Sequence, residues 1–385
     1  MKDHVTNLGL AYRRDKEHVF GIRLTDQLQH IYVLGQTGTG KSTMLFNMCL
    51  QNARAGIGFC LIDPHGDLAK GLAEQVGDKA LYWDVADPSC PLGYNPLTKV
   101  SEGFRPLVAS GYIETLRHQW SDAWGPRMEN LLRWAILALL EMPRADFTDI
   151  LPLMTNRDYR QEVIATITDE EVLRFWQEEY PALSYKTAFD GVAPIANKLG
   201  TFLAHPVLRK SLTKPDQPIR FRQLMDEGGS LIVNLRKGRL GSDAANVMGG
   251  LILTALRNAA FTREDQPEAA RRPFAIYVDE FHNFATKTIA ESLAELRKYR
   301  VSLTLAQQFS TQSSEETREA LLGNIGTAIV FRLGVNDTAL FAKYLQCPTE
   351  SDLLNLPNHR AYVRLMLDGA QTRTFSMKTL PPLIR

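Results

Sequence analysis

The feature that most constrains this chain is a glycine-rich segment, residues 35–42, which matches the pattern G-x-x-x-x-G-K-[ST]. Glycines let the backbone fold tightly around an anion, so that successive N–H groups point inward. An apolar run at residues 31–34 precedes the segment and a stretch with helical spacing follows it, as a phosphate-binding loop requires. The pattern predicts that ATP and Mg²⁺ bind here, and the residues assigned to the nucleotide are Gly35, Gln36, Thr37, Gly38, Thr39, Gly40, Lys41, Ser42 and Thr43.

Two residues of this segment have distinct chemical roles. Lys41 is expected to reach the β- and γ-phosphates, and the Ser42 hydroxyl is expected to ligate Mg²⁺. A phosphate-binding loop also needs an acid that holds the metal and a group that acts on the attacking water. Asp279 and Glu280 end the apolar run FAIYVDE, so we assign Asp279 to Mg²⁺ and Glu280 to polarising the water. Asp63, in LIDPHGD, could also face the metal. It is the second candidate for this role, because an Asp before Pro more often ends a strand as a turn residue.

Short apolar runs alternate with helical segments at both ends of the chain, which predicts an α/β fold with a mostly parallel sheet. Between them, from about residue 107 to 205, apolar residues recur at helical spacing with little strand signal, and helices are predicted at 129–141, 169–180 and 196–212. We therefore expect an all-α insertion at 101–212, which divides a nucleotide-binding core into residues 1–100 and 213–385. The predicted strands are 31–34, 59–63, 81–85, 230–235, 274–280, 301–308 and 327–333, with a hairpin around 368–369.

Composition limits the possible partners and compartments. The 44 Lys and Arg residues nearly balance the 43 Asp and Glu residues, so nucleic-acid contacts must come from local basic groups. The four cysteines are far apart in sequence, which disfavours a zinc site and fits a cytoplasmic compartment. The longest apolar run is far shorter than a membrane span, and the first residues carry no secretory signal pattern.

Further polar residues are placed where they could sense the γ-phosphate. Gln307 and Gln308 end the strand VSLTLAQQ, and a strand-end amide beside the loop can hydrogen-bond the phosphate or its water. Arg297 and Arg300 precede that strand, and either could act as an arginine finger on a neighbouring subunit. A basic helix end also complements the helix dipole, so this function stays open. Arg332, in VFRLG, is a weaker candidate.

The combined motifs resemble the HerA–FtsK group of P-loop motor ATPases, and within it the coupling-protein-like ATPases of type IV secretion and conjugation. The resemblance covers about residues 30–365 and rests on motifs that are present in this chain. These motifs are HIYVLGQTGTGKST, LIDPHGDL, GYNPL, WGPRMENLLRWAILALLE, YVDEFHNFAT, LAQQ and NIGTAIVFRLG.

This resemblance implies a RecA-like core with an all-α insertion, assembled as a homohexamer with ATP sites between subunits. It implies DNA threaded through the ring, and a membrane secretion complex as a further partner at the inner face of the cell membrane. It gives the sensor role to Gln308. It also favours Arg297 over Arg300 as the arginine acting in trans, because Leu296-Arg297-Lys298 matches a GRK-like stretch without its Gly.

For the DNA contact, the loop Arg236-Lys237-Gly238-Arg239 directly follows a predicted strand and is the densest basic loop. Arg236, Lys237 and Arg239 are therefore the first candidates for the pore, and Thr286-Lys287 is the second. Two other functions stay open. One is a nucleotide-switched docking ATPase that recruits protein partners through the helical insertion, and the other is an enzyme that acts on a small molecule.

Overall fold

The computed structural model describes residues 4–13, 16–183, 185–346 and 348–383. Its strands are β1 Val5–Arg13, β2 Lys16–Arg23, β3 Ile31–Leu34, β4 Gly58–Asp63, β5 Leu81–Asp84, β6 Leu92–Gly93, β7 Gln217–Pro218, β8 Ser230–Asn234, β9 Phe274–Val278, β10 Val301–Gln307, β11 Thr327–Val330, β12 Arg360–Arg364, β13 Met366–Leu367, β14 Ala370–Gln371 and β15 Phe375–Thr379.

The helices are distributed along the whole described chain. They are α1 Leu24–Gln27, α2 Lys41–Ala55, α3 Asp67–Val76, α4 Arg105–Gln119, α5 Pro126–Leu139, α6 Ile150–Thr155, α7 Arg157–Ile164, α8 Glu170–Arg174, α9 Tyr180–Ala182, α10 Tyr185–Leu203, α11 Pro206–Thr213, α12 Phe221–Glu227, α13 Lys237–Leu240, α14 Ser242–Phe261, α15 Lys287–Leu296, α16 Glu315–Asn324, α17 Val335–Leu345 and α18 Glu350–Leu354.

Within the described residues, eleven strands form one sheet in the order β2-β1-β15-β12-β11-β3-β10-β9-β4-β8-β5. The neighbours from β11 to β8 pair in parallel, whereas β12, β15, β1 and β2 add an antiparallel extension. Strands β3, β4, β9 and β10 are buried along their whole length, as apolar strands covered on both faces should be. The predicted α/β fold with a mostly parallel sheet is confirmed.

The carboxyl ends of the parallel strands meet at one edge of the sheet, where open α/β sheets bind ligands. Within the parallel part, β3 lies between β10 and β11. β10 separates β3 from β9, so the ends of these three strands are close to one another. This arrangement brings together the segments that follow residues 34, 278 and 307.

The chain divides into two compact units. The first contains residues 1–83, 221–238 and 259–385, and the second contains 84–220 and 239–258. The predicted insertion, 101–212, falls within the residues of the second unit. Among the described residues, no helix is both long and apolar enough to span a bilayer.

Local details differ from the sequence predictions in two helical stretches. Residues 196–212 were expected to form one helix, but α10 ends at Leu203 and α11 begins at Pro206. Proline fits the first turn of a helix and favours an extended backbone at the residue before it, and His205 is extended with φ −74° and ψ 110°, so the break falls directly before Pro206. In the second stretch, Asp169 caps α8 through its side chain, and a π-turn at Phe175–Glu179 follows.

The hairpin around Asp368 and Gly369 forms as predicted. β13 and β14 pair antiparallel through Leu367 and Ala370, and both turn residues have positive φ, 50° and 80°. A two-residue hairpin loop with two positive φ angles favours a Gly-containing turn. The sequence pattern did not predict β1 and β2, which form a second hairpin with an irregular register between Asn7 and Gly9.

Candidate nucleotide-binding site

The loop between β3 and α2 has the backbone of an anion-binding turn. Gly38 has a φ of 76° and Gly40 a φ of 120°, conformations that glycine adopts without a steric penalty. Gly40 is the N-cap of α2, and the Thr39 hydroxyl donates to the Gln36 carbonyl at 2.7 Å. The first backbone N–H groups of a helix lack helical partners and attract negative charge. The loop is therefore shaped to hold phosphate.

Lys41 lies inside this loop. Its Nζ atom donates to the carbonyl of Gly35 at 2.6 Å and approaches that of Gln36 at 3.2 Å, and the residue is only 5% exposed. Burial lowers the pKa of Lys41, while the charges of Glu280 and Asp279 act in the opposite direction. The lysine is thus held at the loop, where the charges of the two acids favour its protonated form.

Asp279 comes within hydrogen-bond distance of the loop although 237 residues separate it from Ser42. The Ser42 hydroxyl donates to Oδ2 of Asp279 at 3.2 Å. Asp279 is 4% exposed, and its backbone N–H donates to the Ile62 carbonyl, which ties the end of β9 to β4. The structure therefore brings together the two residues that sequence analysis assigned to Mg²⁺.

Glu280 follows Asp279 in a strained conformation, with φ 47° and ψ 50°. A left-handed backbone is uncommon for residues other than glycine and clusters at functional sites. Oε1 of Glu280 accepts a hydrogen bond from Nε2 of Gln308 at 2.6 Å, and Oε2 lies 3.4 Å from Nδ1 of His282. The turn thus aims the Glu280 carboxylate at the end of β10.

The two strand-end glutamines differ in their surroundings. Gln307 is fully buried and donates to the Tyr32 hydroxyl at 2.5 Å and to the Phe309 carbonyl at 3.2 Å. Gln308 instead contacts Glu280. Of the two, Gln308 is the one that the structure places beside the predicted hydrolytic acid.

Asp63 is also buried near these acids, but its oxygens have other partners. Oδ1 accepts from the backbone N–H of His65 at 2.9 Å, and Oδ2 accepts from that of Ala69 at 2.8 Å. This is the turn role that its position before a proline indicated. Asp63 still lines a cavity of about 370 Å³ with Ser42 and Asp279, and therefore adds negative charge there.

Burial raises the pKa of Asp279 to about 6, and the negative charges of Asp63 and Glu280 contribute to the rise. A buried carboxylate beside other acids is costly unless a cation balances it. Mg²⁺ prefers oxygen ligands and typically takes only one or two protein carboxylates together with phosphate oxygens. The Ser42 hydroxyl and the Asp279 carboxylate fit that requirement. Across the described ranges there is no cluster of three or more His, Cys, Asp or Glu side chains that could hold a metal.

The charge of Lys41 only partly balances this carboxylate, which predicts a gain in stability when Asp279 becomes neutral. Below about pH 4 the carboxyl is protonated in both the folded and the unfolded chain, and between about pH 4 and 6 only the unfolded chain ionises. Above pH 6 the folded protein therefore bears the full cost, about 2–3 kcal/mol. Asp279→Asn should raise the free energy of unfolding by about 2 kcal/mol at pH 7.5 without nucleotide, and by much less near pH 4.

Urea titrations at both pH values measure this effect, and Asp67→Asn is the control. Asp67 lines the same cavity but is exposed at the start of α3. A gain that is equal at both pH values, or a loss at pH 7.5, contradicts the assignment of the buried charge to Asp279.

A second expected result concerns Lys41. Lys41→Met should weaken the binding of ATP about 10- to 100-fold, because a charge-assisted hydrogen bond to phosphate is lost. Titration of a fluorescent ATP analogue measures the affinity, and Lys70→Met, on the exposed face of α3, is the matched control. Equal affinity in the Lys41→Met variant and the wild type argues against a phosphate at this loop.

The three candidate arginines occupy different places. Nε of Arg332 donates to Oε1 of Gln36 at 3.1 Å, and Nη1 donates to the Leu356 carbonyl at 3.2 Å, so Arg332 contacts the phosphate-binding loop of its own chain. Arg297 is exposed in a short 3₁₀ turn before β10. Arg300, directly before that strand, is half-buried with a left-handed backbone.

β10 separates Arg297 from the site of its own subunit. The strand has seven residues, and at about 3.3 Å per residue it spans roughly 20 Å. Arg297 precedes its amino end, whereas Gln308 follows its carboxyl end. Arg297 therefore lies at the opposite end of β10 from Gln308.

The basic loop predicted after β8 follows the carboxyl end of that strand, at the same sheet edge as the acids, and its residues Lys237 and Arg239 lie in the short helix α13. Arg236 is half-buried with a φ of 42°. Nζ of Lys237 approaches Oδ1 of Asn283 at 3.4 Å, and Arg239 is exposed. The second candidate, Lys287, forms an ion pair with Glu316 at 3.0 Å.

Sequence analysis did not identify the contacts of Asn283, His282 and Arg332 around the site. Asn283 and His282 follow the strand-end acids by only a few residues, but a short irregular turn has no periodicity that marks a functional side chain. The contact between Arg332 and Gln36 depends on β11 lying beside β3, which the order of strands along the chain does not reveal.

The fold and the loop geometry define a P-loop ATPase of the HerA–FtsK type, as the sequence motifs predicted. The chain belongs to the family of the HerA helicase central domain, whose family model matches residues 14–254. A search of curated proteins gives no significant match.

Solved structures of similar fold include a bacterial conjugative coupling protein and VirB4. The unbound conjugative coupling protein TrwB is 16% identical with a TM-score of 0.69, and the similarity covers 95% of this chain and 90% of that chain. TrwB in complex with ADP and Mg²⁺ is 16% identical with a TM-score of 0.68, and the similarity covers 95% of this chain and 88% of that chain. VirB4 of Thermoanaerobacter pseudethanolicus is 14% identical with a TM-score of 0.61, and the similarity covers 98% of this chain and 96% of that chain. At these identities the similarity shows that the fold is shared.

Proposed function

We propose that the protein is an ATP-driven motor that moves DNA through a homohexameric ring, as a coupling-protein-like ATPase of type IV secretion or conjugation. The observation that carries this proposal is the contact of Ser42 with Asp279, beside Glu280 and Gln308. These four residues come from three different segments of the chain. Their meeting at one sheet edge supplies groups for binding a metal–nucleotide complex and for acting on water.

The residues divide the chemistry among them. Residues 35–43 hold the phosphates, and Lys41 neutralises charge on the β- and γ-phosphates. Ser42 and Asp279 hold Mg²⁺, which when bound stabilises the charge that develops on the phosphate oxygens. Glu280 accepts a proton from the attacking water or orients it. Gln308 donates to Glu280 and fixes the direction of its carboxylate.

The assembly and partners belong to the proposal. Arg297 completes the site of a neighbouring subunit, and the basic loop with Arg236, Lys237 and Arg239 contacts the DNA backbone in the pore. Residues 101–212 form an inserted helical domain between the two parts of the core, 1–100 and 213–385. The protein acts in the cytoplasm, at the inner face of the membrane, through contacts with a secretion complex.

The test is steady-state ATP turnover with duplex and single-stranded DNA of increasing length. A translocating ring should show turnover that rises several-fold with DNA and increases with DNA length until a ring is always bound. Electron microscopy with a non-hydrolysable ATP analogue and DNA should show six-fold rings with density in the hole. Turnover that is indifferent to DNA of every length contradicts the motor.

The docking hypothesis gives a different result in the same experiments. A nucleotide-switched docking ATPase keeps its turnover without DNA, and deletion of residues 101–212 removes partner binding while ATP turnover persists. A motor instead retains its dependence on DNA length whichever protein partner is present. The length series therefore separates the two functions.

A further inference from the structure

The basic loop after β8 is fixed rigidly to the carboxyl edge of the sheet. The backbone N–H of Leu235 donates to the Asp63 carbonyl at 3.0 Å, and that of Lys237 donates to the Pro64 carbonyl at 2.8 Å. The N–H of Arg236 donates to Oδ1 of Asn234 at 3.0 Å. Since the backbone N–H groups of three successive residues are all hydrogen-bonded, the fold defines the backbone position of Lys237 beside the turn that carries Glu280.

The turn that carries Glu280 is fixed by Asn283. The Glu280 carbonyl accepts two hydrogen bonds from Asn283, one from its backbone N–H and one from its side-chain Nδ2, both at 3.0 Å. Asn283 is buried, 9% exposed. A left-handed backbone persists only when its surroundings hold it, and these two bonds hold that of Glu280.

The same side chain also contacts the basic loop. Nζ of Lys237 lies 3.4 Å from Oδ1 of Asn283. The amide of Asn283 therefore has Glu280 on its donor side and Lys237 on its acceptor side. A single buried residue connects a positive charge of the basic loop to the backbone that orients the hydrolytic acid.

We propose that Asn283 is a positioning residue. Through it, the binding of a DNA phosphate to Lys237 changes the orientation of Glu280 and so sets the rate of ATP hydrolysis. This inference rests on the proposed function, since it takes the basic loop as a DNA contact and Glu280 as the hydrolytic acid. The inference adds a physical connection between the DNA contact and the hydrolytic acid, which the proposed function does not contain.

The physical basis is a competition for the lysine ammonium. A charge-assisted hydrogen bond to phosphate is shorter and stronger than a contact at 3.4 Å to a neutral amide. DNA therefore draws Lys237 away from Asn283. The Oδ1 atom loses its cationic partner, the amide reorients, and the constraint on the Glu280 backbone changes. The bond from Gln308 to Glu280 then shifts with the carboxylate, so that turnover differs between the DNA-bound and the DNA-free states.

The first test compares two basic residues of one loop. Lys237→Met should reduce the ratio of turnover at saturating DNA to turnover without DNA to about one. Arg239→Met removes a neighbouring exposed charge and should weaken DNA binding by a similar factor, each loss corresponding to one phosphate contact. At saturating DNA, Arg239→Met should keep the wild-type ratio. Equal ratios in Lys237→Met and the wild type overturn the proposal.

The second test changes Asn283 and measures DNA affinity without nucleotide, by fluorescence anisotropy. Asn283→Leu removes the competitor for Lys237 and should tighten DNA binding about two- to fivefold. Asn283→Asp holds Lys237 by an ion pair and should weaken DNA binding by a similar factor. Both variants lose the Nδ2 donor to Glu280, so both should lose the stimulation of turnover by DNA.

Opposite changes in affinity with the same loss of stimulation distinguish this role from a merely structural one. Damage to the fold would weaken DNA binding in both variants, and that result overturns the proposal. Thermal melting identifies a variant that fails to fold, in which case Lys237→Met, at the half-buried first residue of α13, decides alone. Absence of stimulation by DNA in the wild type contradicts the proposed motor, whereas stimulation that persists in Asn283→Leu contradicts only this connection.

Discussion

Glu280→Gln is expected to lower ATP turnover about 1000-fold, because general base catalysis at the attacking water is lost. Nucleotide affinity should stay within a few-fold of the wild type, since Lys41, Ser42 and Asp279 are intact. The amide keeps the shape of the carboxylate and an oxygen that can accept from Gln308. The variant should therefore bind ATP tightly and hydrolyse it extremely slowly.

Phosphate release and titration of a fluorescent ATP analogue measure the two quantities separately. Glu268→Gln, an exposed position distant in sequence from the strand-end acids, is the control and should match the wild type in both assays. A turnover rate within threefold of the wild type would remove Glu280 from its assigned role.

The second large effect is expected at Arg297. Arg297→Ala should lower turnover about 1000-fold, which is the lower range for an arginine that stabilises transition-state charge. Its binding of ATP in isolated subunits should be unchanged, because β10 separates Arg297 from the phosphate-binding loop of its own chain. The adjacent exposed Lys298→Ala is the matched control.

Mixing the two inactive variants tests whether the arginine acts in trans. When equal amounts of Glu280→Gln and Arg297→Ala subunits assemble at random into rings, about a quarter of the interfaces join an intact Glu280 to an intact Arg297. Turnover should therefore return to a measurable fraction of the wild-type rate. No recovery in rings that contain both variants would place the two defects in the same half of the site.

Much of the site could be predicted because it lies at strand ends. Apolar runs that end in Gly35, Asp279 and Gln308 identify the carboxyl edge of a parallel sheet, and the contact of Ser42 with Asp279 follows from that geometry. The parallel order of β3, β10 and β9 brings the three ends together across more than 230 residues of sequence. Local patterns therefore sufficed wherever a residue directly follows a buried strand.

Other features depend on tertiary neighbours that local patterns do not encode. The position of Arg332 beside Gln36 requires the crossover that places β11 next to β3. The hydrogen bonds of Asn283 require the left-handed turn at Glu280, and nothing in the composition of DEFHNF predicts a positive φ at a glutamate. The strand β2 is largely exposed on both faces and therefore lacks the apolar alternation by which half-buried strands are recognised.

The seven residues of β10 have a further consequence in a ring of the proposed kind. The strand begins four residues after Arg297, the arginine proposed to act on a neighbour, and ends one residue before Gln308, which contacts the acid of its own site. A strand paired on both sides is stiff, so a displacement at one end reaches the other with little loss. Each subunit would then transmit the progress of its own reaction to the next subunit. The order in which the six sites hydrolyse ATP would be set through β10, which is about 20 Å long.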